Sequence, residues 1–188
     1  MTQDHTVLIV EDEVDTLDIY EAWLEDEYDV RTAKRGQEGL DKLDNDVDVV
    51  LLDRRMPGLS GDDVLERIKQ EGYRCRIAMV TAVEPDFDII DMPFDDYALK
   101  PVSRDDMMSM VEHLIMRAQY DQQIQEYFSL ASKIAVLERE KTHRELQESD
   151  EFNRLKEEFD EMGDRIDRTL DQIDDFVMAF YDISRVTH

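Results

Sequence analysis

Up to about residue 118, short apolar runs alternate with amphipathic stretches. Val7 to Val10 (VLIV) reads as a buried strand. Val14 to Glu27 follows, with Val14, Leu17, Tyr20 and Leu24 at helical steps and Ile19 and Trp23 on the flanks. Tyr28 to Ala33 alternates as a second strand, and Gln37 to Leu43 reads as a short helix. Val47 to Leu52 is apolar enough to be a central strand. Gly61 to Gln70 is a helix through Val64, Leu65 and Ile68, Arg76 to Val80 is a fourth strand, and Tyr97 to Leu99 is a weak fifth. Strands alternating with helices in this way predict an α/β fold: a doubly wound, five-stranded parallel sheet covered on both faces.

Ser103 opens a different pattern. Ser103 and Asp106 have the spacing of a capping box. No Gly or Pro interrupts Arg104 to Met162. Tyr120, Ile124, Tyr127, Ala131 and Ile134 step by fours and threes, and the stepping resumes at Phe152, Leu155, Phe159, Met162 and Ile166, then Ile173, Phe176 and Phe180. Such spacing is a heptad seam. Residues 138–150 between the two runs are almost wholly polar. An unbroken rod would have nothing to bury there, so the pattern predicts an α-helical hairpin or coiled coil, its second helix capped by Ser149 or Asp150. Gly163 is a local weak point in that helix. The expected domains are 1–118 and 119–188.

Charge narrows the partners. The 188 residues hold 48 acids against 22 basic residues, a net charge of −26, and only 7 of the basic residues are lysine. A uniformly acidic, lysine-poor chain resembles proteins that work in molar salt. Such a chain repels nucleic acid and anionic lipid at low salt. At molar salt the Debye length falls to ~3 Å, which screens that repulsion and any attraction of basic patches for phosphate. DNA binding is therefore disfavoured without being excluded. Cys75 is the single cysteine, so no internal disulfide or cysteine metal cluster can form. The opening MTQDHT lacks the parts of a signal peptide, and no apolar run approaches the ~20 residues of a membrane span. These features lead to the expectation of a cytoplasmic protein with no membrane segment.

The chemistry gathers where strands end. In open parallel sheets ligands bind beyond the carboxyl ends of the strands. The first strand ends in Glu11, Asp12 and Glu13, and the third ends in Asp53. Carboxylates brought together there repel unless a cation joins them, and they are the hard oxygen donors that Mg²⁺ prefers. The fourth strand ends in the hydroxyl of Thr81 and the fifth leads to the ammonium of Lys100. Acids, a hydroxyl and a lysine at one sheet edge suit phosphoryl capture, with one carboxylate attacking phosphorus.

The segments VLIVEDE, LLDRRMPGLSG, MVTA and DDYALKP resemble the receiver domain of two-component response regulators, a flavodoxin-like fold, over nearly all of residues 5–118. The resemblance implies that Asp53 is the phospho-acceptor and that Mg²⁺ is the cofactor. It implies Asp12 as direct metal ligand, the main-chain carbonyl of Arg55 as another, and Glu11, in place of the commoner Asp, reaching the metal through water. Thr81 would hold the phosphoryl group, Lys100 would pair with it, and Tyr97 would be the aromatic that swings inward. Such a protein is a phospho-accepting signalling protein, and its partner is a sensor histidine kinase. Pro85 and Pro93 predict that the usual fourth helix is short or lost.

The pattern YFSLASKIAVLE and the heptad helix after it resemble HalX, a domain attached to receivers in halophilic archaea. Residues 119–188 hold 18 acids against 9 Lys and Arg, with no basic recognition helix. A regulatory output module is implied; the further expectations are that it serves control of transcription and that the heptad seam of the C-terminal helices pairs two copies as a homodimer. The alternatives are a transcription factor that binds DNA directly, or a receiver acting only through protein–protein contacts. A dehalogenase-type hydrolase also uses a strand-end Asp, but it wants D-x-D where this chain has Asp53-Arg54-Arg55. His143 in THREL reads as a solvated side chain near a turn, and Met107, Met108 and Met110 as core packing.

Overall fold

The structure is a computed structural model that describes the backbone of residues 5–186 and side-chain surroundings as far as residue 170. The chain divides into two compact units, Met1–Ile115 and Met116–His188.

In the first unit, β1 (Thr6–Val10), α1 (Val14–Leu24), β2 (Asp29–Ala33), α2 (Gly36–Lys42), β3 (Val47–Leu52), α3 (Gly61–Glu71), β4 (Arg76–Thr81) and β5 (Asp96–Leu99) follow in order. The strands form one parallel sheet, β2-β1-β3-β4-β5. After β1 the chain goes to β2 on one side, then returns to β3 on the other, so the carboxyl ends of β1 and β3 flank the switch point. Strands this apolar need cover on both faces. Leu17, Tyr20 and Leu24 of α1 and Met107, Val111 and Leu114 of the following helix bury one face. Leu43 beside α2, with Val64, Leu65 and Ile68 of α3, buries the other. Met107 and Met110 are core residues, as the pattern implied.

Local chemistry sets the helix ends. Ser60 caps α3 in a reciprocal pair with Asp63, and Gly72, at φ 78°, ends it in the left-handed region. Ser103 Oγ accepts from the Asp106 amide at 3.2 Å at the start of α4 (Arg104–Glu140). Between β4 and β5 the prolines leave one 3-10 turn, Phe87–Asp91, in place of a full helix.

In the second unit, the seam closes as a helical hairpin between α4 and α6 (Asp150–Val186). Leu130, Ile134, Leu146, Phe152, Met162 and Ile166 are buried, with Ile124, Tyr127, Leu155 and Phe159 packed beside them. The rings of Tyr127 and Phe159 stack with centroids 4.4 Å apart. Phe152 donates its amide to Ser149 Oγ at 3.2 Å, so Ser149 caps α6. The polar stretch between the two seam runs carries a helix of its own, α5 (His143–Gln147). Thr142 and Glu145 make its capping box, and Leu146 buries into the hairpin. Periodicity over so few residues could not show it; the capping pair could. The seam positions Ile173, Phe176 and Phe180 lie outside the residues whose side chains are described.

Candidate functional site

The sheet ladder runs one residue past the strand ends and aligns the chemistry. The Glu11 amide donates to the Ala33 carbonyl at 3.0 Å, the Asp53 amide to Val10 at 2.9 Å, and the Lys100 amide to Thr81 at 2.9 Å. Glu11, Asp53 and Lys100 are therefore fixed by backbone bonds at a common edge. Glu11, Asp12 and Asp53 each bring a carboxylate oxygen within 4.8 Å of the others. The Lys100 ammonium reaches between them, donating to Glu11 Oε2 at 2.5 Å and to Asp53 Oδ2 at 3.1 Å. Glu11, Asp12, Asp53, Arg55, Thr81 and Lys100 line one cleft of about 500 Å³. Tyr97 stands behind it, its hydroxyl donating to the Val83 carbonyl at 2.7 Å. Thr81 is buried, and its Oγ1 accepts from the Val83 amide at 3.3 Å.

The electrostatics are unbalanced. Burial pushes the Glu11 carboxyl up, against the pull of Lys100, and the Asp53 charge adds to the rise. Burial alone would lower Lys100, but Glu11 and Asp53 outweigh it and hold the ammonium above an ordinary lysine. Four carboxylates line the half-enclosed cleft, those of Glu11, Asp12, Glu13 and Asp53, against the two cations Lys100 and Arg55, which leaves two negative charges. That surplus and the all-oxygen donor set fit a hard divalent cation.

Two residues here escaped the sequence reading. Gly61 begins α3 directly over the end of β3: its amide donates to the Arg54 carbonyl at 2.9 Å, and a Cβ added to it would lie 2.1 Å from the Asp53 carbonyl oxygen. A glycine at the start of a helix carries no local sign of such an approach. Arg54 pairs with Asp62 and Asp88, 8 and 34 residues away, separations that no periodicity reveals.

A parallel β2-β1-β3-β4-β5 sheet with an acid cluster and a lysine at its carboxyl edge is a flavodoxin-like α/β fold with its polar groups gathered at the switch point, where such folds bind ligands. Residues 7–112 match the response regulator receiver domain and residues 116–180 the HalX domain, and the chain belongs to the receiver family with a HalX domain following. A Haloferax volcanii protein described as a candidate transcriptional regulator is 50% identical over 136 residues, 72% of this chain and 23% of that protein. The response regulator SaeR of Staphylococcus aureus is 33% identical over 115 residues, 59% of this chain and 50% of SaeR. The chain thus spans about a quarter and a half of these relatives' lengths. A CheY-like receiver domain from Methanospirillum hungatei superposes with a TM-score of 0.58 at 25% identity, covering 62% of this chain and 98% of that one. The response regulator TrrA of Thermotoga maritima, solved in complex with Mg²⁺ and BeF, superposes with a TM-score of 0.51 at 28% identity, covering 58% and 98%. No helix among the described residues is long and apolar enough to cross a membrane.

Proposed function

We propose that the protein is the response regulator of a two-component phosphorelay that accepts a phosphoryl group on Asp53. The observation that carries this reading is the meeting of the Asp53 carboxylate with the Lys100 ammonium and the Glu11–Asp12 acids in one cleft. Mg²⁺ fits the surplus charge and the hard oxygen donors: Asp12, Asp53 and the Arg55 main-chain carbonyl would hold it directly, and Glu11 through water. Bound there, the cation would neutralise charge developing on the phosphoryl oxygens.

The chain's own residues do the rest. An Asp53 carboxylate oxygen forms the new bond to phosphorus while the bond to the donor's leaving group breaks; with a sensor histidine kinase that group is an imidazole nitrogen. Lys100, freed from Asp53, turns to the incoming oxygens, and the Thr81 hydroxyl supplies a further hydrogen bond. Movement of Thr81 disturbs Val83, and with it the carbonyl that holds the Tyr97 hydroxyl, so Tyr97 is the aromatic switch. The receiver is taken as residues 1–118 and the output hairpin as 119–188. α4 is one helix without Gly or Pro, and a rigid helix carries a rotation or shift better than a flexible linker. The output is control of transcription, supported by the description of the Haloferax relative. The hairpin pairs two copies in this reading, and the place of work is the cytoplasm.

The test is direct. With Mg²⁺ and a small phosphodonor in molar KCl, the protein should gain one phosphoryl group labile to alkali and hydroxylamine, as an acyl phosphate is. Asp53→Asn should not label. Labelling that survives the substitution would move the acceptor elsewhere.

A further inference from the structure

Arg54 follows Asp53 directly, yet its side chain is only 11% exposed. Its Nε donates to both carboxylate oxygens of Asp62 on α3, at 3.0 and 3.2 Å. Its Nη2 donates to Asp88 in the 3-10 turn between β4 and β5. One guanidinium thus joins three elements: the end of β3, the first turn of α3 and the turn Phe87–Asp91. The mount beneath it is stiff, because the Arg54 carbonyl accepts from the Gly61 amide and Gly61 packs on the Arg54 backbone.

The turn needs such a tie. None of its residues is buried, and Phe87 and Ile90 are 85% and 72% exposed. Its main-chain bonds are internal: Ile89 to Asp86 and Met92 to Ile89. Among the described residues, Asp88 is the polar side chain of the turn that bonds to another element. A segment with few buried contacts opens at low cost unless something holds it. A planar guanidinium suits the task, since its fork can serve two carboxylates at once where an ammonium is a single point charge. The pairing runs both ways: Asp88 and then Asp62 keep Arg54 charged, and Arg54 holds the Asp88 carboxyl below the usual range.

We propose that Arg54 is a positioning residue that clamps the Phe87–Asp91 turn to the acceptor strand, so that a shift of the Asp53 main chain moves the turn bearing Phe87 and Ile90. In this chain the clamp does the work of a full helix packed on the sheet. The signalling sense of the clamp rests on the acceptor role of Asp53; its existence does not.

Hydrogen exchange read by mass spectrometry, in molar KCl, separates the two. Asp88→Ala removes a surface carboxylate and leaves the core intact. In the unphosphorylated full chain it should speed exchange of the amides of residues 87–92 about three- to tenfold, the lower end reflecting the half-exposed position of Asp88. Asp88→Glu, which keeps the charge, should restore exchange to within about twofold of wild type, and α2 should be unchanged in both. Wild-type exchange in Asp88→Ala would overturn the clamp, as would acceleration that Asp88→Glu fails to reverse. With phosphodonor, the wild-type turn should change its exchange, and Asp88→Ala should lose that change while Asp53 still labels. A change that survives in Asp88→Ala would overturn the coupling. If Asp53 fails to label in the wild type, the acceptor reading fails while the unphosphorylated comparison still decides the clamp.

Discussion

Replacing Gly61 with alanine sets two physical effects against each other. Gly61 is the first residue of α3, and alanine is the better helix former by about 1 kcal/mol in a helix interior. Propensity alone therefore predicts a small gain. The structure predicts a loss. The new Cβ would lie 2.1 Å from the Asp53 carbonyl oxygen, 2.8 Å from the Arg54 Cα and 2.9 Å from the Asp53 carbonyl carbon. All three are backbone atoms, so no side chain can rotate away. Relieving a carbon–oxygen contact this short needs about 1 Å of movement. Overpacking of that kind costs about 1–3 kcal/mol, more than the propensity gain. The first unit should then melt lower by roughly 4–8 °C for each net kcal/mol. The atoms that must move are those of Asp53 itself, and about 1 Å of misplacement can cost on the order of a hundredfold in rate. Phosphodonor labelling of Gly61→Ala should therefore slow at least tenfold. The melt can be followed in the first unit alone, because Trp23 is the single tryptophan and packs 5.5 Å from Tyr20 in that unit's core. A variant that melts at or above the wild type and labels at its rate would refute the steric argument.

Other outcomes follow from the same geometry. Asp12→Asn should weaken Mg²⁺ binding more than Glu11→Gln, titrated in high KCl to suppress nonspecific cation binding; equal losses would contradict the division into direct and water-mediated contacts. Burial raises the Cys75 thiol to about 11, so the folded state keeps its proton where the unfolded chain loses it. That contribution is whole below the unfolded value near 9 and is lost as pH rises through about 11, by up to about 3 kcal/mol. Urea unfolding across that window should show a fall in stability that is shallower in Cys75→Ala, and parallel curves would mean that Cys75 is not the group responsible. Inserting Gly-Gly after Met116 should leave Asp53 labelling intact while phosphorylation ceases to alter exchange in α6; coupling that persists would exclude the continuous helix as the route.

The sheet was readable because each strand is a run of buried β-formers between turn residues, and a parallel order follows once helices separate them. Topology then places the carboxyl ends of β1 and β3 side by side, which is why Glu11, Asp12 and Asp53 could be grouped before any coordinates. Lys100 and Thr81 were accessible by the same logic. The ion pairs of Arg54 were not, because Asp62 and Asp88 are two of many acids in a chain where any arginine finds one nearby. Gly61 gave no sign, since a steric approach depends on how α3 lies over β3. The short α5 hid because its one buried side chain, Leu146, makes no period; only the Thr142–Glu145 pair announced it.

Lys100 has a consequence for how the cleft behaves in concentrated salt. Its ammonium is a counter-ion tethered to the sheet, lying against Glu11 and Asp53 before any phosphoryl group arrives. A monovalent cation from solution offers those carboxylates the same charge with none of the proximity, so it gains little by entering. A doubly charged ion offers more than the resident ammonium and matches the two negative charges left over. On the proposed reading the lysine would act as a valence filter, leaving the cleft little to offer potassium at molar concentration and more to offer a divalent ion.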